Sequence, residues 1–285
     1  MDNYIEFAYL YDKLTLDVEY GKRVDFLEEI FKANMDYKPC LIADIACGTG
    51  TLCNILIDRG YDMIGIDSSF DMLNVAKEKS GNKTILYLNQ SMTDFELYGT
   101  VDVILCMLDS LNYLLDDGEI ETFFKLCMNY LNHGGLLVFD INTLYKFENI
   151  LCDNIFNYED ENLFYSWENS FDGEICEFYL NFFVKQADGS YNRITEQHFE
   201  RAYTIEQIKN ALSIAGFQDV KLYSDLKLQL PGEQEERVFF VAKKHWQYFH
   251  NVVKLIIGYR LLYYLTDYYI VTIFREVHSN AERYS

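Results

Sequence analysis

Basic residues are scarce in this chain: 24 lysines and arginines stand against 45 aspartates and glutamates, a formal charge of −21 over 285 residues. A nucleic acid backbone or an anionic membrane surface meets net repulsion from such a chain unless a local basic patch offsets it. The basic residues are scattered, Lys243 and Lys244 being the densest pair, so nucleic acid and membrane partners are disfavoured. Metal-ligand spacing is lacking too. Five histidines and seven cysteines form no C-x-x-C or H-x-x-x-H pair, and no metal site is expected. Several of the cysteines sit in apolar runs where a thiol acts as a small hydrophobe, which makes the reducing cytoplasm the expected compartment. The first residues carry acidic side chains and no basic stretch ahead of an apolar run, so no secretory leader is expected. Long uncharged runs are missing as well: Lys254, Arg260 and Asp267 break the apolar tail into pieces of seven residues at most. A spanning helix needs roughly twenty apolar residues, and the expectation for residues 245–285 is a helical extension packed against the domain or a second copy of the chain, as in a homodimer.

What is present is apolar and aromatic. Half the residues are hydrophobic and 16% are aromatic, 24 of them tyrosine, enough for a large core. Residues 4–34 carry Ile5, Tyr9, Leu10, Val24, Leu27, Ile30 and Phe31 at helical spacing. After Pro39 the pattern becomes strand, helix, strand: strands are expected over 40–46, 61–66, 83–89, 101–107 and 135–141, and helices over 51–59, 69–79, 117–132 and 143–152, the third closed by Gly134 and Gly135. Short apolar strands separated by helices imply a parallel sheet covered on both faces. Between 154 and 203 the rhythm changes to antiparallel strands with turns at Asp172-Gly173 and Asp188-Gly189. Thr204 then opens a helix with a capping box to Gln207, Gly216 closes it, and strands over 217–224 and 236–242 follow around Pro231.

The segment Leu41-Ile42-Ala43-Asp44-Ile45-Ala46-Cys47-Gly48-Thr49-Gly50 reads as a buried strand running into a glycine turn and a helix. Glycines there let the backbone pass close under a ligand. A dinucleotide site wants G-x-G-x-x-G, and Cys53 stands at the third position. Asp44, four residues before Gly48, would repel a pyrophosphate and suits a cationic head group. Asp67 ends the second strand, where an acid can hold both ribose hydroxyls; the bland alternative is that Asp67 or Ser68 only caps the helix that starts near Ser69.

Asp44-Ile45-Ala46-Cys47-Gly48-Thr49-Gly50, then Gly65-Ile66-Asp67-Ser68-Ser69 with Met72, Leu73 and Ala76, resembles a class I S-adenosylmethionine-dependent methyltransferase. Leu108-Asp109-Ser110-Leu111-Asn112-Tyr113 and Phe139-Asp140-Ile141-Asn142-Thr143 continue the resemblance, which spans about residues 4–244 and is similar to a bacterial small-molecule subgroup with a β-rich lid after the fifth strand. It implies a Rossmann-like α/β fold, a doubly wound, mostly parallel seven-stranded sheet with an antiparallel last strand. The cofactor domain would occupy 1–153 and 204–244, the lid 154–203. It implies S-adenosylmethionine as cofactor and a small or medium acceptor. By position, Gly48 and Gly50 would line the methionine and ribose, Asp44 meet the amino group and Asp67 the ribose, with Ala46, Ser68, Met72 and Leu108 completing the lining. Tyr11 and Tyr20 would fold over the cofactor. The subgroup's Gln-Asp-Met after the third strand is Gln90-Ser91-Met92 here, so Ser91 would meet the adenine without charge and Met92 by packing.

Methyl transfer from a sulfonium needs alignment and water exclusion and no metal. An amine or hydroxyl acceptor also needs a base, for which Asp109, after the fourth strand, and His198, in the lid, are the two candidates. Each has a structural alternative, a turn-holding carboxylate for Asp109 and a pairing with Glu196 or Glu200 for His198. The competing function is a non-catalytic module that binds the same cofactor and uses its tail as an interaction helix.

Overall fold

The computed structural model describes residues 3–15 and 18–245, so the expectations for the tail beyond His245 lie outside the described residues. Two helices, α1 (Asn3–Leu14) and α2 (Tyr20–Asn34), lead into β1 (Leu41–Ile45), α3 (Thr51–Asp58), β2 (Asp62–Asp67), α4 (Phe70–Ser80), β3 (Leu86–Asn89), β4 (Val101–Cys106), α5 (Glu119–Tyr130) and β5 (Leu131–Asn142). A short helical turn, α6 (Leu144–Lys146), winds on as a π-turn to Leu151. The four strands β6 (Ile155–Glu159), β7 (Leu163–Phe171), β8 (Ile175–Lys185) and β9 (Tyr191–Arg201) come next, then α7 (Ile205–Ala215), β10 (Asp219–Ser224) and β11 (Arg237–Lys243).

The seven-stranded sheet runs β10-β11-β5-β4-β1-β2-β3, parallel except that β11 is antiparallel to both its neighbours. Its central strands are buried on both faces, which is why β4 reads as an unbroken apolar run. One face packs Phe123, Phe124 and Phe139 under α5 and α7; the other packs Ile42, Val103 and Phe239 under α2 and α3. The order of β1 relative to β4 reverses the winding, and ligands of such sheets bind at that point, outside the carboxyl ends of the strands. The insert expected as the lid is an antiparallel sheet, β6-β7-β8-β9, one face of which shares a third apolar cluster with Phe7, Leu10, Phe147 and Leu151.

The capping box at Thr204–Gln207 and the left-handed Gly216 that closes α7 are present. Two boundaries differ from the sequence reading. α5 stops at Tyr130, and Gly134 (φ 81°) lies inside β5 instead of capping a helix. Lys244 explains the early stop: its Nζ donates to Met128 O and Leu131 O at 2.6 and 2.7 Å, satisfying carbonyls at the helix end, while its own backbone pairs with Gly134 and Gly135. The first lid strand, β6, was not expected; it is an edge strand exposed along its whole length, with no burial pattern to betray it.

Candidate active site

Beyond β1 the chain turns through three left-handed residues, Ala46 (φ 58°), Gly48 (φ 53°) and Gly50 (φ 68°). A Cβ on Gly48 would meet nothing nearer than Tyr11 Cε1 at 3.9 Å, so its bare backbone faces open space under α1. Gly50 is glycine for another reason. A Cβ there would stand 2.5 Å from Tyr87 Oη and 3.0 Å from the Ala76 Cβ, so the space is filled from inside the protein.

Asp67 binds this turn to the tip of β2. Its Oδ2 accepts from Gly48 N at 2.8 Å and its Oδ1 from Ser69 N at 2.8 Å. Burial raises the carboxyl above its ordinary value and the two N–H donors oppose the rise. Ser69 caps α4, taking Met72 N at 3.3 Å. The cap thus falls to Ser69 and not to Asp67 or Ser68, while Asp67 ties the two turns together and each of its oxygens keeps further lone pairs for a ligand.

Asp44 lies deeper, 2% exposed, with Cys53 Sγ (3.4 Å) as its hydrogen-bond partner and no cation paired with it among the described residues. Burial pushes its carboxyl up to about 7, and Asp67 adds to the rise. Asp44 lines a cleft of about 470 Å³ together with Tyr11, Tyr20, Ala46, Gly48 and Leu108. The cleft thus joins six of the expected cofactor residues. Gly50, Asp67, Ser68, Met72, Ser91, Met92, Asp109 and His198 are not part of its lining. Ser91 turns onto Thr93, accepting from its N at 3.2 Å, and Met92 is half-buried against Cys106 at the edge of the core.

The cleft also holds residues the sequence reading passed over. Arg23, on α2, is 8% exposed and faces the cleft with its Nε lacking a partner; its NH1 reaches Asp225 at a loose 3.4 Å. An arginine in an amphipathic helix that carries as many basic as acidic residues gives no signal of facing a ligand. α1 is held over the turn by a small polar cluster: Thr49 Oγ1 donates to Asp12 at 2.6 Å, and Lys79 Nζ donates to Asp12 (2.8 Å), Thr49 (3.1 Å) and Thr51 (2.6 Å).

Asp109 sits at the seam between sheet and lid. Leu108 and Asp109 are both left-handed (φ 58° and 55°), a costly state for residues with a Cβ. The buried Asp140 holds them, accepting from Leu108 N at 2.7 Å and Asp109 N at 3.4 Å. Arg237, from β11, pairs with Asp140 and with Asp109 at 2.5 Å. Burial alone would raise the Asp109 carboxyl, but Arg237 and then Lys146 hold it below the ordinary range. Such a group is a weak proton acceptor, and its side chain is bound to Arg237 while Asp140, not Asp109, holds the turn. Glu200, on the lid, is bonded by Asn142 Nδ2 at 2.9 Å and pushed well up by burial and by the Asp109 charge. His198 lies against rings instead of carboxylates: Phe7 at 5.5 Å and Tyr113 at 6.0 Å between centroids. Burial lowers its pKa, so it is neutral and able to accept a proton near pH 7.

The profile of a methyltransferase domain matches residues 42–135. A protein of Geobacillus sp. (strain WCH70) assigned to the methyltransferases is 37% identical over 250 residues, 85% of this chain and 99% of its own. The crystal structure of an S-adenosylmethionine-dependent methyltransferase from Clostridium acetobutylicum superposes with a TM-score of 0.78 at 33% identity, over 86% of this chain and all of that one. The chain belongs to the S-adenosylmethionine-dependent methyltransferases. A more distant relative, the dTDP-3-amino-3,6-dideoxy-α-D-glucopyranose N,N-dimethyltransferase of Streptomyces fradiae, is 24% identical over 74% of this methyltransferase and 83% of its own length.

S-adenosylmethionine is the cofactor, and the donor set fits it. A zwitterionic head group needs an anion and a cation close together, and the cleft offers a buried carboxylate without a counter-charge and a buried guanidinium with a free N–H, beside a glycine whose missing Cβ leaves the backbone open. Among the described residues no helix of the methyltransferase is long and apolar enough to cross a membrane.

Proposed function

We propose that this methyltransferase acts on a small-molecule acceptor admitted between the sheet tips and the lid, with residues 1–153 and 204–244 as the cofactor domain and 154–203 as the acceptor lid. In this reading Asp44 receives the amino group of the cofactor, Arg23 its carboxylate, Gly48 passes beneath its ribose and Asp67 accepts the ribose hydroxyls. Tyr11 and Tyr20 cover it from α1 and α2. The observation that carries the reading is that one cleft is lined by Asp44, a carboxylate with no cation paired to it among the described residues, and by Arg23, whose Nε has no partner while its NH1 reaches Asp225 loosely.

S-adenosylmethionine, when bound, supplies a methyl group on a sulfonium sulfur. The chain's own residues align and dehydrate: the ring of Tyr11 closes the cleft over Gly48, and the lid packs Phe182 and His198 against Phe7 of α1. His198, neutral and within one aromatic layer of the cleft, is placed to take the proton that an amine or hydroxyl acceptor releases. The sugar substrate in the name of the Streptomyces fradiae relative supports a small acceptor, and the charge of −21 speaks against a polyanionic one. A dinucleotide fits less well, since Asp44 repels a pyrophosphate. Nothing in the structure favours a non-catalytic module. The free state of all seven cysteines suits the cytoplasm, and a homodimer through 245–285 rests on the apolar density of that segment. Titration calorimetry of the full chain with S-adenosylmethionine tests the site: one molecule binds, and Asp67→Ala weakens binding about tenfold or more. Absence of heat with folded wild-type protein would overturn the assignment.

A further inference from the structure

On the inner face of the lid Trp167 Nε1, Asn169 Oδ1, the Glu196 carboxylate and the His198 imidazole have no hydrogen-bond partner among the described residues, although Asn169 Nδ2 donates to Asn154 O at 3.3 Å, and the strand register brings the four groups together. Trp167, Leu180 and Glu196 form one row across β7, β8 and β9; Asn169, Phe178 and His198 form the next. Strands lie about 4.8 Å apart and alternate residues about 6.8 Å apart, so the four groups fall within a patch of about 10 by 7 Å. Trp167 Nε1 and Asn169 Oδ1 are buried and unpaired. Glu196 is 8% exposed, and no hydrogen bond or ion pair offsets the loss of water around its carboxylate, which burial pushes above its ordinary range. His198 contacts only rings. A native protein pairs its buried polar groups; two buried unpaired atoms beside an unpaired carboxylate and a half-buried imidazole on one face, next to the cofactor cleft, point to a ligand that supplies the missing partners.

We propose that this face is the acceptor site and that the acceptor is an amine-bearing small molecule whose ammonium or amino group donates to Glu196 and to Asn169 Oδ1, with Trp167 Nε1 donating to another polar atom of the same molecule. The proposal rests on the methyltransferase reading and names its substrate class. The surroundings favour a cation over a second anion: Phe178, Phe182 and Trp167 share the apolar cluster of this face, and the carboxylate has no counter-charge among the described residues. The path to the methyl donor is short, since His198 touches Phe7, Phe7 packs edge-on with Tyr11 at 6.2 Å, and Tyr11 lines the cofactor cleft. Glu196 therefore binds, and His198, one row nearer Glu200, takes the proton.

The test uses the full chain carrying Trp246→Phe, so that Trp167 is the sole indole, saturated with S-adenosylhomocysteine. Amines are titrated against their hydroxyl counterparts: ethanolamine with ethylene glycol, glucosamine with glucose, glycine with glycolate. At least one amine should shift Trp167 emission saturably, and its hydroxyl counterpart should bind at least about tenfold more weakly. Glu196→Gln, which keeps the shape and removes a buried charge, should melt no lower than the parent and weaken the amine by about tenfold to a hundredfold. With S-adenosylhomocysteine bound, the proposal is overturned if no amine moves the emission, if amine and hydroxyl bind alike, or if Glu196→Gln binds the amine as well as the parent. Failure of S-adenosylhomocysteine itself to bind would overturn the cofactor assignment instead.

Discussion

Asp44 carries a conflict that a ligand resolves. Its folded-state carboxyl, at about 7 against an ordinary 3.8, binds its proton more tightly than in the unfolded chain. The ligand-free protein therefore loses stability as pH rises from about 4 to about 7, and the loss is complete above that. A cationic amino group reverses the balance, because it stabilises the ionised form. Two outcomes are expected together. Asp44→Asn stabilises the ligand-free protein at pH 8 by on the order of 2 kcal/mol in denaturant melts, and the same change weakens S-adenosylmethionine in calorimetry. Wild-type affinity should also fall as pH drops from 8 to 6, through the range where Asp44 takes its proton. An affinity flat over that range, or an Asp44→Asn variant that is less stable, would show that the carboxylate does not meet the amino group.

Among the elements, α1 owes its position over the glycine turn to Asp12. That carboxylate takes Thr49 and Lys79 at once, and Lys79 also reaches Thr51, so three elements meet at one half-exposed charge pair. An isolated surface pair contributes about 1 kcal/mol or less; a shared one also sets how often α1 lifts. Lys79→Met is expected to raise amide exchange across residues 3–15 and to weaken the cofactor a few-fold with little change in global stability. Unchanged exchange would mean that the Phe7 and Leu10 packing, with the Tyr9 Oη bond to Glu78, holds the helix without Lys79. This contact also shows where the sequence was readable. Asp44, Gly48 and Asp67 could be named because each sits at a strand tip within a short, local pattern. Arg23, Asp12 and Lys79 could not, because a helix surface gives no sign of which charged residue turns inward. The doubly wound sheet followed from alternation and turns, and the lid from Asp-Gly turns at 172 and 188. The exposed edge strand β6 and the early end of α5, set by Lys244 from more than a hundred residues away, left no local trace.

Across the whole molecule, in a chain with 21 more acidic than basic residues, one arginine joins the sheet to the lid. Arg237 binds Asp140 and Asp109 and reaches Asn142 Oδ1 at 3.2 Å, and Asn142 in turn donates to Glu200 of β9. Asp140 is fully buried, so the guanidinium is its counter-charge and also props the strained turn at Leu108 and Asp109 that lines the cleft. Removing one partner of a buried pair costs about 3–5 kcal/mol, mostly through the charge left behind. Arg237→Met should lose that much at pH 7 in urea denaturation, with lid and sheet unfolding in the same transition. The sign with pH follows from Asp109, whose carboxyl Arg237 holds below the ordinary 3.8. The stability from that pairing is present above about pH 4 and is lost as pH falls through the lowered value. Since the variant never had it, the gap between the two proteins narrows on acidification below about 4. Arg237→Lys keeps the charge without the fork and should recover part of the loss at pH 7. A gap of equal size at pH 7 and at pH 3.5 would assign the effect to packing of the arginine stem instead of its charge.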